Sequence, residues 1–348
     1  MENKKYNAID AFKFISAVLI IVLHVNPFKG ISEPLALVFR NIVTIIAVPF
    51  FFTTSGFLFF TKLNISENKP YMVKRYVFRI LKMYLIWSLV YFPFVVINWV
   101  NEGIDILGYI RDFFFEGSYS TIWFLNATII ACLFVYFLTK KLKYNFVFFI
   151  CLGFYLVGCA LSYYYYIIVK VPFISKIGTI YYSFFRTTKN GLLFGAVFFS
   201  LGLLLTNNNK KFKIKWNILF LVLSFIALCI ESVVVPKLGY LNKGVDLKIS
   251  LVPFSYFLVM LLSRIELPNH KIYLWFRGMS INMFLSQRLF LSIFPLILSS
   301  KSIVMSSNLI YFILIFVCTL LFSWAMMIVG NKIKKYKKLR QNEGKINV

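Results

Sequence analysis

The sequence predicts an all-α protein that crosses a membrane about ten times, with both ends on the cytoplasmic side. Two observations carry most of this. The 348 residues are 60% hydrophobic and 14% charged, with a mean hydropathy of +0.79, too apolar for a soluble chain built around one core. The apolar residues also fall in repeated runs of about 20, the length at which a helix spans the hydrocarbon slab. A third observation orients the chain: the basic residues that give the net charge of +26 cluster between these runs, as topology signals do, rather than gathering on one face that would meet nucleic acid.

The runs lie at about 10–27, 36–61, 77–99, 121–139, 145–166, 190–206, 216–236, 249–264, 279–298 and 307–330. The first follows Glu2, Lys4, Lys5 and Asp10 and has no A-x-A-like cleavage site, so it reads as a retained helix. In the second, Pro49 precedes Thr53, Thr54, Ser55 and Gly56. This combination either bends a helix and lines a pathway or permits a tight helix contact. Placing the N-terminus inside puts most of the lysines and arginines on the cytoplasmic side, including the tail from Lys332 to Lys345. The longest outer connections, about 100–120 and 167–189, are too short to hold a core. The chain therefore reads as one integral membrane domain, 1–348, with a basic cytoplasmic tail at 331–348.

Several chemistries have no support. No GxSxG elbow, HExxH pair, Walker loop or CxxC pair occurs. Cys132, Cys151, Cys159, Cys229 and Cys318 sit inside apolar runs without metal-type spacing, and no metal site is expected. His270, beside Pro268 and Asn269, reads as a solvated loop residue.

Polar groups inside the runs are the candidate site, because an ionisable side chain at mid-bilayer costs about 2.5–3.5 kcal/mol or more. Lys13 and His24 are eleven residues apart on the first run. At 100° per residue they return to nearly one helix face, roughly 16 Å apart along the axis. Arg40, Glu231, Asp246 and Arg288 gather toward the outer ends of their runs, where they either share a cavity with His24 or snorkel and cap. On the inner side Lys74, Arg75, Arg79 and Lys82 form a cationic stretch, with Arg75 and Arg79 on one face. Such guanidinium groups hold phosphates, or they anchor the helix against anionic lipid. Spacing alone leaves both readings open.

Ala8-Ile9-Asp10-Ala11-Phe12-Lys13, followed by ten residues and His24, resembles the opening of the acyltransferase 3 family of membrane acyltransferases, where an Arg, ten residues and a His mark the first helix. Pro49 to Phe52 with Ser55-Gly56-Phe57-Leu58 is similar to that family's aromatic Ser-Gly-Phe segment. Arg79-Ile80-Leu81 with Tyr84, Leu85 and Trp87 resembles its third-helix entry, and Trp123-Phe124-Leu125 its Trp-aromatic opening of the fourth. Thr188-Lys189-Asn190-Gly191, Ile230-Glu231-Ser232 and Asp246 before Pro253 look most like the membrane half of the serine racemases of vancomycin-type resistance. The sequence also departs from the pattern. Lys13 replaces the usual Arg and loses its bidentate fork, Thr121 stands where a His commonly precedes the Trp, and Gln287-Arg288 stands where many relatives carry His-Pro.

The resemblance implies a bacterial cytoplasmic-membrane O-acyltransferase. It would move an acyl group, an acetyl above all, from cytoplasmic acyl-CoA to a hydroxyl of an extracytoplasmic carbohydrate or lipid-linked acceptor of the cell envelope. It implies His24 as general base with Lys13 orienting or contacting the donor. Arg75, Arg79 and Lys82 would hold the CoA phosphates, and Arg40, Ser55, Trp123, Glu231 and Asp246 would frame the acceptor pocket. Membrane lipids are expected partners and nucleic acid is not. The racemase-linked likeness keeps a second class open, a carrier for a small polar solute such as serine.

Overall fold

A computed structural model describes residues 5–208, 213–238, 244–298 and 307–346. All regular structure among them is helical. Eight helical stretches are long and apolar enough to cross a membrane, and two further apolar ones, Gly191–Asn207 and Leu251–Arg264, are shorter. These two fall on the sixth and eighth of the ten expected runs.

Helix α1 (Asn7–Val25) starts three residues before the expected run and stops two before its end, at Asn26, which takes the left-handed conformation with φ 52°. Its N–H closes back on the Val22 carbonyl, the ordinary way an L-residue ends a helix without glycine. His24 thus lies in the last turn of α1.

The second run is broken at its start. A short α2 (Glu33–Val38) passes through a π turn at Phe39–Val43 and a 3₁₀ turn at Thr44–Ile46 before α3 (Ala47–Asn64). The irregular turns precede Pro49, whose ring and missing N–H disturb the preceding turn. Beyond it α3 is regular. The Gly56 question resolves toward packing: a Cβ there would stand 2.2 Å from the Phe199 carbonyl oxygen, and one on Gly202 would stand 2.1 Å from the Phe57 nitrogen. These two glycines let α3 and α10 (Ala196–Asn208) touch backbone to backbone.

Helix α4 (Lys69–Glu102) begins earlier than the apolar run because Asn68 caps it, accepting the Tyr71 N–H at 3.0 Å. At 34 residues it is about 51 Å long, well beyond the hydrocarbon slab. Its basic residues are therefore carried on the helix itself. Helices α6 (Trp123–Thr139), α7 (Tyr144–Leu161), α11 (Ile214–Leu238), α12 (Leu251–Arg264) and α13 (Lys271–Ile297) follow, and α14 (Asn308–Ile346) runs from the last apolar stretch into the basic tail.

The two long connections are helical where only chain was expected: α5 (Ile106–Phe115) and α9 (Pro172–Phe184), with a single turn, α8 (Tyr165–Ile168), between α7 and α9. Ile106, Leu107 and Phe114 of α5 and Phe173 and Ile180 of α9 are exposed, as on helices that lie in a membrane interface rather than cross it. At the centre of the bundle, rings from α3, α6 and α13 interlock. Phe52 and Phe124 are 4.5 Å apart edge-to-face, and Phe124 and Phe284 are 5.1 Å apart.

Candidate functional site

The Lys13–His24 stripe lies between α3 and α13. Phe12 on one flank packs against Phe50 of α3 at 4.7 Å, and Phe14 on the other packs against Trp275 and Phe276 of α13 at 5.5 and 4.9 Å. On this face Ala17, Ile20 and Ile21 are buried, yet His24 is exposed. Ile15, the residue of α1 turned outward at 49% exposure, is nine residues from His24 and so about 180° away. The imidazole therefore lies on the side of α1 opposite the one that Ile15 turns outward.

The ring's orientation is fixed by one bond. Nδ1 lies 2.8 Å from the Ile20 carbonyl oxygen, and since a carbonyl only accepts, the hydrogen sits on Nδ1. The lone pair of neutral His24 is then on Nε2. The Gln287 side chain is within hydrogen-bonding reach of the ring, and Arg288 and Lys189 are within its electrostatic range. Gln287 Oε1 and Arg288 Nε are buried without a hydrogen-bond partner among the described residues. Buried polar atoms normally have partners, so such atoms beside an accessible imidazole mark a polar site. Gln287-Arg288, where the sequence departs from the family pattern, thus belongs to the surroundings of the pattern's histidine, while Thr121 lies beside Tyr91. Tyr91, whose hydroxyl donates to the Leu285 carbonyl at 2.6 Å and whose ring stacks on Tyr119 at 4.9 Å, backs this region.

At the other end of the stripe Lys13 is 3.7 Å from Asp10 Oδ1. Asp10 is buried and also receives Arg277 from α13, with Nε at 2.9 Å and Nη2 on the same oxygen, Oδ2. Arg277 falls outside the expected 279–298 run and reads from the sequence only as one of the basic loop residues that set topology.

The remaining candidates separate. Ser55 is half-buried beside Tyr76. Trp123 is half-buried against Phe194 at 5.8 Å and Phe52 at 6.2 Å. Arg40 is exposed on the π turn. Glu231 turns its carboxylate on the start of α12, accepting the N–H groups of Ile249 and Ser250 at 2.8 and 2.9 Å and the hydroxyls of Ser250 and Tyr164. It is the anionic cap of that helix. Asp246 pairs with Lys189. Arg75, Arg79 and Lys82 are exposed on α4, with Arg79 over the Tyr76 ring at 5.3 Å. Their neighbour Lys74 and Lys140 of α6 border an apolar groove of about 320 Å³ lined also by Val77 and Phe78.

Two groups were missed altogether. Lys248 is fully buried and donates to the Ser232 hydroxyl at 2.7 Å and to the Asn41 carbonyl in the π turn, with the Tyr163 ring 5.1 Å away. Burial pushes its ammonium down to about 8, against the partial support of Glu231 and Asp246. Glu116 accepts the N–H groups of Arg186 and Thr187 at 3.1 and 2.8 Å, while the Arg186 guanidinium meets Asp105 and Asp112 at 2.7 and 3.3 Å. This ties the α5 connection to the segment before the π turn at Gly191–Gly195 that leads into α10. Burial raises the Glu116 carboxyl above the usual carboxylate range. Among the described residues no group of three His, Cys, Asp or Glu is placed to hold a metal ion.

An all-helical, multi-pass membrane protein with an accessible histidine inside its bundle is the class these features define. Residues 6–328 match the family model for the acyltransferase domain, and the chain belongs to that family. The resemblance read from the motifs is thereby borne out. Two amino-acid racemases of Enterococcus faecalis are similar, at 30% identity over 62% of this chain and 30% of the relative, and 32% over 65% of this chain and 33% of the relative. A serine/alanine racemase of Enterococcus gallinarum is 26% identical over 67% of this chain and 33% of its own length. The chain thus spans about a third of the length of the racemases it matches. No solved structure matches.

Proposed function

We propose that this acyltransferase-family protein transfers an acetyl or other acyl group from acyl-CoA on the cytoplasmic side to a hydroxyl of an extracytoplasmic glycan or lipid-linked acceptor, working in a bacterial cytoplasmic membrane with both its termini inside. The observation that carries the reading is the His24 ring: held through Nδ1–H by Ile20, it carries its lone pair on Nε2, with the Gln287 side chain within hydrogen-bonding reach and Arg288 nearby. In the proposed step Nε2 takes the acceptor's hydroxyl proton as its oxygen attacks the thioester carbonyl. The C–O bond forms, the C–S bond breaks, and the proton passes to the departing sulfur, leaving CoA as the thiol. Gln287 and Arg288 are the donors available to the tetrahedral oxyanion, and Lys13 meets the donor below. Arg75, Arg79 and Lys82 attract CoA phosphates to the inner surface, and Ser55, Trp123, Arg40, Glu231 and Asp246 shape the acceptor side. Of these, Glu231 acts through the α12 terminus that it caps.

The test is His24→Ala in membranes supplied with labelled acetyl-CoA. Transfer to cell-envelope material should fall by about 100-fold or more, the scale of a lost general base; full transfer by the variant rejects the mechanism. A second reading, a carrier for a small polar solute such as serine, draws on the names of the racemase relatives. Radiolabelled serine uptake that does not depend on acyl-CoA would favour it.

A further inference from the structure

At the N-terminal end of α1, Asp10 is met by more than one cation. Asp10, with a side chain 3% exposed, is already matched by Lys13 three residues on, yet Arg277 reaches across from α13 to the same group. Lys62, at the end of α3, adds a third cation within electrostatic range of Lys13. Asp10 thus faces three cations, Lys13, Arg277 and Lys62, at the edge of the polar stripe. Stability is a weak reason for it, because a buried ion pair contributes little once desolvation is counted. Asp10 grips Arg277 through Nε and Nη2, which aims the guanidinium, and the Arg277 side chain is still half exposed.

We propose that Arg277 is a donor-binding residue: together with Lys13 it receives the diphosphate of acyl-CoA at the inner mouth between α1 and α13, and Asp10 is its positioning residue. This rests on the acyl-CoA reading above. Three chain bonds span about 3.8 Å, so the thirteen bonds from the diphosphate to the sulfur of the pantetheine arm reach about 16 Å. That equals the roughly 16 Å rise from Lys13 to His24. A diphosphate held level with Lys13 therefore delivers its thioester to the imidazole. The planar fork that Lys13 lacks is supplied from the neighbouring helix, since an Arg binds phosphate bidentately where a Lys offers only a point charge.

The experiment measures donor KM and maximal rate for labelled acetyl transfer in membranes, together with acetyl-CoA binding to the purified full chain in nanodiscs and its competition by inorganic pyrophosphate. R277Q should raise the donor KM and the binding constant by about tenfold or more and change the maximal rate little, with R277K in between and pyrophosphate no longer competing. D10N/R277Q removes both charges of the pair, so it should regain the thermal stability that R277Q loses but not its donor affinity. A merely structural pair would instead give R277Q a wild-type donor KM, or let the double variant restore it, and either result overturns the proposal while the acyl-CoA reading stands. If the wild-type protein neither binds acetyl-CoA nor transfers label, that reading fails and this assignment falls with it.

Discussion

The α3–α10 crossing makes a sharp prediction because the geometry fixes its size. A methyl group on Gly56 would sit 2.2 Å from the Phe199 carbonyl oxygen, where ordinary contact begins near 3.4 Å, and its other near neighbours, Phe199 C and Cα at 2.9 and 3.0 Å, are also backbone. No side chain can swing away. The helices must part by about 1.2 Å, and α3 cannot shift that far without loosening Phe50 from Phe12 and Phe52 from Phe124. Overpacking of this kind costs about 1–3 kcal/mol, against about 1 kcal/mol that alanine returns through helix propensity. Gly56→Ala should thus lower the thermal midpoint of the detergent-solubilised protein, read as survival of its monodisperse peak in size-exclusion chromatography. Gly202→Ala should do the same. The double variant should cost less than the two effects added, because one separation relieves both clashes. Gly153→Ala, in α7 with nothing within 4 Å of the added carbon, serves as control and should be neutral or stabilising. Equal midpoints for Gly56→Ala and Gly153→Ala would refute the close approach.

Further outcomes follow from the junction of α11 and α12. Glu231→Ala removes the acceptor of two backbone N–H groups and two hydroxyls at the start of α12, so it should cost about 1–2 kcal/mol, seen as faster hydrogen exchange at Ile249 and Ser250; unchanged exchange would deny the cap. Lys248 has an ordinary value of 10.5 lowered to about 8 in the folded protein. The unfolded chain therefore binds the proton more tightly between those values, and this group's contribution to stability rises with pH from about 8 to 10.5, its penalty being full below 8. The wild-type midpoint should climb relative to that of Lys248→Met across this window, and parallel pH curves for the two proteins would contradict the burial.

Much of this was legible in the chain. Runs of apolar residues at bilayer length gave the helical membrane class, and an eleven-residue spacing placed Lys13 and His24 on one face. Four ordered motif matches pointed to the acyltransferase family that the chain belongs to. Helices α5 and α9 escaped because a helix of 10 or 13 residues does not by itself fill a spanning window. Arg277 and Lys248 escaped because a cation near the end of an apolar run looks like a topology signal until a partner from a distant helix is seen.

Composition and local periodicity determined which segments are helices and which faces of them are polar, because both depend on residues a few positions apart. Which polar faces meet depends on how distant helices pack. Asp10 and Arg277 are 267 residues apart in the chain, and Glu231 of α11 reaches the start of α12, accepting the N–H groups of Ile249 and Ser250. Helix packing also left His24 open while it closed over Ile20 and Ile21 on the same face. Burial and pairing belong to contacts between helices, and local sequence does not encode them.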